Sequence, residues 1–379
     1  MPAFTPSLRR RALVGFGLGS ALAPLQLAYA LPARKLTFLR DAGAHPDFAT
    51  EWWYITGHAT VAGQAAALGY QVTFFRRRVA STQGMRSTMA AKQLLFAHAA
   101  ITDVRGKKLW HDQRIARWSG EPAGSNPSDT ASASEQDTDV SLRDWSLRRN
   151  GDDLQAHIPA GPAGEFTLDL RFKATQPVLL QGKEGLSRKG PEEKQASYYY
   201  SLPQLQATGS IALQGKTNTL ERGSTAWLDH EWSQEVLHPQ AVGWDWIGIN
   251  LLDGSALTAF QLRDKSGQAL WDGGSFRSAP SASGAGGVRY VFSRGEVLFR
   301  PLRQWRSAIS KASYPVEWIV RTPADYYTVK AMVDNQELDS RQSTGAIYWE
   351  GLCEVWDSNQ RLVGRGYLEM TGYAEALKL

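Results

Sequence analysis

The feature that most constrains this chain is the near absence of any 3.6-residue apolar period. Its apolar residues fall instead in short runs, such as "YITGHATV", "ALGYQVTFFR", "LLFAHAAITDV", "FTLDLRFK", "DWIGINLL" and "AIYWEGLCEVWD". Alternation at a period of two buries one face of a strand, and a 3.6-residue stripe is needed to bury a helix. Between the runs lie "DVRGKK", "RNGDD", "LLDGS" and "DKSGQ", in which Gly, Asp and Asn supply the backbone conformations of hairpin turns. The pattern predicts an all-β chain of antiparallel hairpins. A single segment, "LRQWRSAISKASYPVEW", is expected to be partly helical, with Pro315 ending the helix.

The N-terminus reads as a targeting segment. Arg9, Arg10 and Arg11 precede an apolar stretch that closes on "AYA" at residues 28–30, the small-residue pattern that a signal peptidase cleaves. Arg10-Arg11 resembles a twin-arginine signal, so residues 1–30 are expected to direct export and the mature chain to begin at Leu31. No stable membrane span is expected after cleavage. The basic character belongs partly to this segment. The whole chain has 42 Lys and Arg against 37 Asp and Glu, and removing three arginines leaves 39 against 37. No basic stripe points to nucleic acid. Cys353 is the only cysteine, so no intrachain disulfide can form and stability must come from the core.

The remaining residues, about 349 of them, favour two domains, and a weak internal repeat supports that division. "EWWYITG" followed by "YQVTFFR" is echoed by "GWDWIGI" followed by "FQLRD". Matching Trp52 to Trp244, Tyr54 to Trp246 and Ile55 to Ile247 brings Tyr70-Gln71-Val72 beside Phe260-Gln261-Leu262, with a two-residue difference in spacing. The expected boundaries are 36–235 and 236–379. Residues 119–139 and 278–287 have little to bury and are expected as mobile loops. The charged stretch "GKEGLSRKGPEEKQ" from Gly182 is expected as a solvated loop.

"EWWYITGH", "AHAAITD", "YYYSLPQLQATGSI", "WLDHEW", "GWDWIGINLLDG" and "YWEGLCEV" with "GRGYLEMTGY" together resemble the AttH-like/hydroxyneurosporene synthase family, which includes the carotenoid 1,2-hydratases. The resemblance runs through nearly all of the mature chain in order. It implies two packed lipocalin-like antiparallel β-barrels with an apolar ligand cavity near their junction. It also implies either a cofactor-free hydratase or isomerase of an isoprenoid-like molecule, or a non-catalytic periplasmic carrier of lipophilic cargo working with an ABC transporter. The fourteen tryptophans suit such a cavity, since they supply rigid apolar area.

Chemistry concentrates in "WLDHEW". On a strand, Trp227, Asp229 and Glu231 share one face, and Leu228, His230 and Trp232 share the other. The expected catalytic residues are His230, Asp229 and Glu231. Trp232, Trp244, Trp246, Trp52, Tyr54, Glu51 and Asp245 are expected to contact ligand, with His230 and Trp232 facing the same cavity as Trp244 or Trp246. The alternative for the row is a hydrogen-bonded network fixing the two barrels. For Glu51 it is a salt bridge to an arginine such as Arg76. No metal is expected: Gln234 stands where a zincin needs its second His, and His45, His58, His98 and His111 are scattered along the chain. A serine hydrolase is disfavoured by the lack of a G-x-S-x-G elbow. Acid-catalysed hydration fits better, because burial raises a carboxyl pKa and aromatic faces stabilise a cation. In the hydratases, a Tyr and an acidic Asp lie two apart on the next hairpin. This chain has Phe260-Gln261-Leu262 there, so Asp229, Glu231 or Asp245 would have to supply the acid.

Overall fold

The computed structural model describes residues 30–159, 165–235, 237–281 and 287–377. The expected signal segment up to residue 29 lies outside them. Strands dominate, and the described residues contain two short 3-10 turns, Arg40–Ala42 and Ala80–Thr82, but no α-helix. No helix among these residues is long and apolar enough to cross a membrane.

The strands form two large antiparallel sheets. The first has fourteen strands and takes its members from Thr50–Val61 through Thr225–Glu235; the second has ten, from Gly243–Leu251 through Leu362–Met370. The first curls into a nearly closed barrel. Its end strands, Lys108–Trp118 and Ala131–Ala133, approach each other, so few backbone groups are left as an open edge. Its interior holds Trp53, Phe74, Trp145, Leu168, Tyr200 and Trp232. The second sheet wraps a separate core that includes Ile247, Trp318, Trp349 and Leu368. Phe292 and Phe299, from the strands at its two ends, join the same core. The chain is therefore all-β, with two barrel-like sheets.

A third apolar cluster lies between the sheets: Tyr54 and Trp227 from the first meet Trp246, Phe260 and Leu352 from the second. Polar ties cross the same junction. Thr102 Oγ1 donates to Gln336 Oε1 at 2.6 Å, Ser275 Oγ to Gln181 Oε1 at 2.8 Å, and Gln204 Nε2 to Leu251 O at 2.9 Å. The strands facing this junction are thus buried on both sides, and the Thr225–Glu235 strand has eight consecutive buried residues, Ala226–Ser233.

Several expectations change. The segment expected to be helical forms a hairpin, Gln304–Arg306 with Ser313–Pro315, because Trp305 and Tyr314 stack across it at 6.1 Å. Residues 119–139 are largely held in place: Ala131–Ala133 is a strand, Asp129 accepts the Ser119 amide at 3.1 Å, and Asn126 donates to Thr88 O at 2.9 Å. Within the repeat, the first strands correspond, but register places Tyr54 opposite Thr73 and Trp246 opposite Phe260. Thr73, not Tyr70, is therefore the counterpart of Phe260.

Candidate active site

Register alone aligns the site. On the junction side of the first sheet, two rows cross four strands: Phe75, Trp52, Glu231 and Tyr199, then Thr73, Tyr54, Asp229 and Ser201. Facing them, the second sheet presents Phe260, Trp246, Glu369 and Glu350 in one row. Between lies a cavity of about 180 Å³ bordered by residues of both sheets. It is comparable to a cavity of roughly 150 Å³ that takes up benzene. Gly248 shapes one wall: a Cβ there would lie 2.3 Å from the Trp246 ring and 3.3 Å from that of Trp227, so glycine leaves room for the Trp246 indole to lie flat.

Besides Glu51, which pairs with Arg76, four carboxyl groups border this cavity, Asp229, Glu231, Glu350 and Glu369. Asp229 accepts hydrogen bonds from Trp227 Nε1 at 2.7 Å, Tyr199 OH at 2.8 Å and Ser201 Oγ at 2.5 Å. Burial pushes its pKa up to about 7 against those three donors. Glu350 is less well supplied. The Tyr54 and Tyr348 hydroxyls lie beside it and oppose the burial that raises its pKa to about 8, but neither makes a close, well-aligned bond to its Oε1. Glu369 is raised as well, by burial and by the charge of Glu350. Glu231 differs from the others, because it has a cation: Lys189 Nζ lies 3.0 Å from its Oε1, which also accepts the Ser197 hydroxyl. Two or more protonatable carboxyls in an aromatic wall form a reservoir of protons at neutral pH.

The expected placement of "WLDHEW" is reversed. The alternation is as read, but Asp229 and Glu231 face the cavity, while His230 and Trp232 face the interior of the first barrel. There His230 Nε2 lies 2.9 Å from Glu51 Oε1, its Nδ1 lies 3.2 Å from Tyr200 OH, and its ring stacks on Trp53 at 4.7 Å. Burial lowers its pKa to about 4, so the ring is neutral and is no proton donor to the cavity. Trp232 stacks on His45 at 3.8 Å and 6°.

Glu51 is the hub of this second cluster. It borders the cavity, but its carboxylate is bonded to His45 Nδ1 at 2.7 Å, to His230 and to Arg76 Nε at 2.8 Å. Burial would raise its pKa, but the Arg76 charge and the two histidine bonds hold it well below the usual carboxylate range. The salt bridge to Arg76 is thus present. His45 is not isolated, contrary to the sequence reading: one of its ring nitrogens, one of His230 and a Glu51 oxygen lie within 4.8 Å of one another. Three such residues are ligand types for a transition metal. Here, though, both nitrogens of His45 are already bonded, to Glu51 and to Asp41 at 3.1 Å, and the Arg76 guanidinium occupies the other side of Glu51. The cluster therefore reads as a hydrogen-bonded clasp that holds residues 41–48 onto the barrel end.

Of the other expected contacts, Trp52, Tyr54, Trp244 and Trp246 border the cavity. Asp245 points away from it into a buried pair with Arg263 at 2.7 Å and a bond from Tyr373 at 2.9 Å. His98 was read as scattered but borders the cavity, with Nδ1 2.8 Å from Tyr348 OH. Sequence reasoning missed Glu350, Glu369 and Lys189. The first two are single acids in "YWEGL" and "YLEMTGY", and Lys189 sits in the stretch expected to be solvated. A lone acid between aromatic residues, on a strand with no polar alternation, was the available signal.

The profile of a family described as AttH-like matches residues 29–373. A crystal structure from Nitrosomonas europaea, provisionally designated AttH, is 43% identical, covers 92% of this chain and 100% of its own, and superposes with a TM-score of 0.79. Kievitone hydratase from Nectria haematococca shares the fold at 15% identity and a TM-score of 0.63, over 90% of this chain and 94% of its own. CghA with Sch210972 shares it at 12% identity and a TM-score of 0.51, over 86% and 88%. No curated protein matches the chain.

Proposed function

The chain belongs to the AttH-like family, and from that premise we propose that it is a cofactor-free hydratase or isomerase acting on a carbon–carbon double bond of a small, largely apolar molecule. The observation that carries this reading is the pair of buried carboxyls, Asp229 and Glu350, raised toward and above neutrality in one aromatic-walled cavity. An acid and a base with separated protonation tendencies are what addition of water requires. Glu350, with an unpartnered oxygen, is the donor that gives a proton to carbon. Asp229 is held as an acceptor by three donors and takes the proton of the attacking water. Trp52, Trp244 and Trp246 supply the rigid apolar wall against which the double bond lies. Water is the only co-reactant, and a hydratase of the same fold indicates that the scaffold tolerates such chemistry.

We place this activity after export, on the strength of Arg10-Arg11 and "AYA". The competing reading is a periplasmic carrier of lipophilic cargo serving an ABC transporter. A carrier needs the cavity but has no use for several carboxyls buried in its wall, since burying a carboxyl costs stability.

Native mass spectrometry of protein purified from its own host, followed by incubation of the released ligand with enzyme in oxygen-18 water, tests the reading. A hydratase incorporates the label, and Glu350→Gln abolishes incorporation. A ligand returned unchanged by wild-type protein would support the carrier instead.

A further inference from the structure

Lys189 enters the cavity from the segment between the strands Leu186–Arg188 and Ala196–Leu213. Its side chain is 8% exposed. An ammonium has three N–H donors. Here one carboxylate, Glu231, lies 3.0 Å away, and the remaining neighbours are ring faces, Phe260 at 4.3 Å and Tyr199 at 4.9 Å. Hydrogen-bonding capacity is therefore left over, directed at ring faces and the cavity. A buried cation with spare donors is costly unless an acceptor completes it.

A second observation comes from the acids. A carboxyl that holds its proton near neutrality is a weak donor for an isolated alkene, whose protonation makes a full carbocation. It is a competent donor for an enolate. Water addition generates an enolate when the double bond is conjugated to a carbonyl and the carbonyl oxygen is stabilised as charge builds on it.

We propose that the ligand carries a carbonyl conjugated to its reacting double bond, and that Lys189 binds the carbonyl oxygen and thereby sets substrate class. This rests on the cavity being the binding site argued above. In the step, water oxygen bonds to the β-carbon while the Asp229 carboxylate takes its proton. The alkene electron pair moves to the carbonyl oxygen, and the resulting enolate pairs with the Lys189 ammonium. Glu350 then gives its proton to the α-carbon and the carbonyl re-forms. One water is added, nothing is oxidised or reduced, and the proton returns from Asp229 to Glu350 through water.

Two probes of matched size test this on the full mature protein: benzalacetone, a conjugated enone, and 2-methyl-4-phenylbuta-1,3-diene, in which a methylene replaces the carbonyl oxygen. Dissociation constants come from tryptophan fluorescence. The enone is expected to bind at least ~10-fold more tightly than the diene, as a buried charged hydrogen bond implies. Lys189→Met combined with Glu231→Gln, which strands no buried charge, should erase it and leave diene affinity within ~2-fold of wild type. Equal binding of the two probes by wild-type protein overturns the Lys189 assignment and leaves the cavity reading intact, and so does a preference that survives in the double variant. Failure of both probes to bind overturns the cavity reading and this inference with it.

Discussion

Asp229 and His230 are consecutive, yet they serve opposite faces of one strand. Asp229 borders the cavity between the sheets, and His230 Nε2 lies 2.9 Å from Glu51 inside the first barrel. This division assigns them different work, chemistry to the carboxyl and architecture to the imidazole.

His230→Ala should therefore unsettle the fold and spare the cavity. It removes one of the three side-chain partners of the Glu51 carboxylate, takes the imidazole from the Tyr200 hydroxyl and opens space beside Trp53. The expected loss is about 2–4 kcal/mol in urea unfolding, with benzalacetone affinity unchanged in the protein that remains folded. A stable variant with lost binding would put His230 back in the site.

Stability should depend on pH in a direction set by the raised carboxyls. Asp229 and Glu350 hold protons in the folded chain, to about 7 and about 8, that the unfolded chain has already released. Their contribution is therefore present at low pH and lost as pH rises through those values. His230 works the other way, because its folded pKa near 4 lies below the unfolded value of 6.5, so its contribution is lost as pH falls through that window. Between pH 6.5 and 8.5 only the carboxyl effect remains, and the melting temperature should decline. Asp229→Asn with Glu350→Gln should flatten the decline. An equally steep slope in that variant would contradict the protonation states argued here.

The flat seat of the Trp246 indole depends on Gly248. Gly248→Val should displace the ring, break the 3.2 Å bond from Trp246 Nε1 to Tyr199 OH and cost about 1–3 kcal/mol through overpacking. Probe binding should weaken more than stability does. Unchanged affinity would show that Trp246 is packing and not cavity wall.

Export predicts a mature chain starting at Leu31. Mass spectrometry of protein from the periplasm should give that start, and replacing Arg10 and Arg11 with lysine should retain the precursor in the cytoplasm. Mature protein beginning at Met1 would refute the signal.

The sequence made the strands, and therefore the fold class, easy to read, because alternation and turn residues are local signals. It also gave the two-face split of "WLDHEW" correctly. Which face is the site was not legible, since the Ala226–Ser233 run is buried on both sides and alternation separates faces without saying what covers each. Lys189 was hidden by its neighbours: a charged run ordinarily marks solvent, and only the fold reveals that one lysine of "SRKGPEEK" turns inward to Glu231. Glu350 and Glu369 were hidden by distance, more than a hundred residues from Asp229, and meet it only because the two sheets pack face to face.

The central claim is that the cavity holds protonated carboxyls at neutral pH, Glu350 among them. Difference infrared titration of the carboxylic acid stretch, on wild-type protein and Glu350→Gln in parallel, tests it most directly. The account predicts a protonated-carboxyl band in wild-type protein at pH 7 with a component that titrates near pH 8, and that component is lost in the variant while the signal of Asp229 and Glu369 remains. A wild-type spectrum with every carboxyl ionised at pH 7, or a band unaffected by Glu350→Gln, would contradict it.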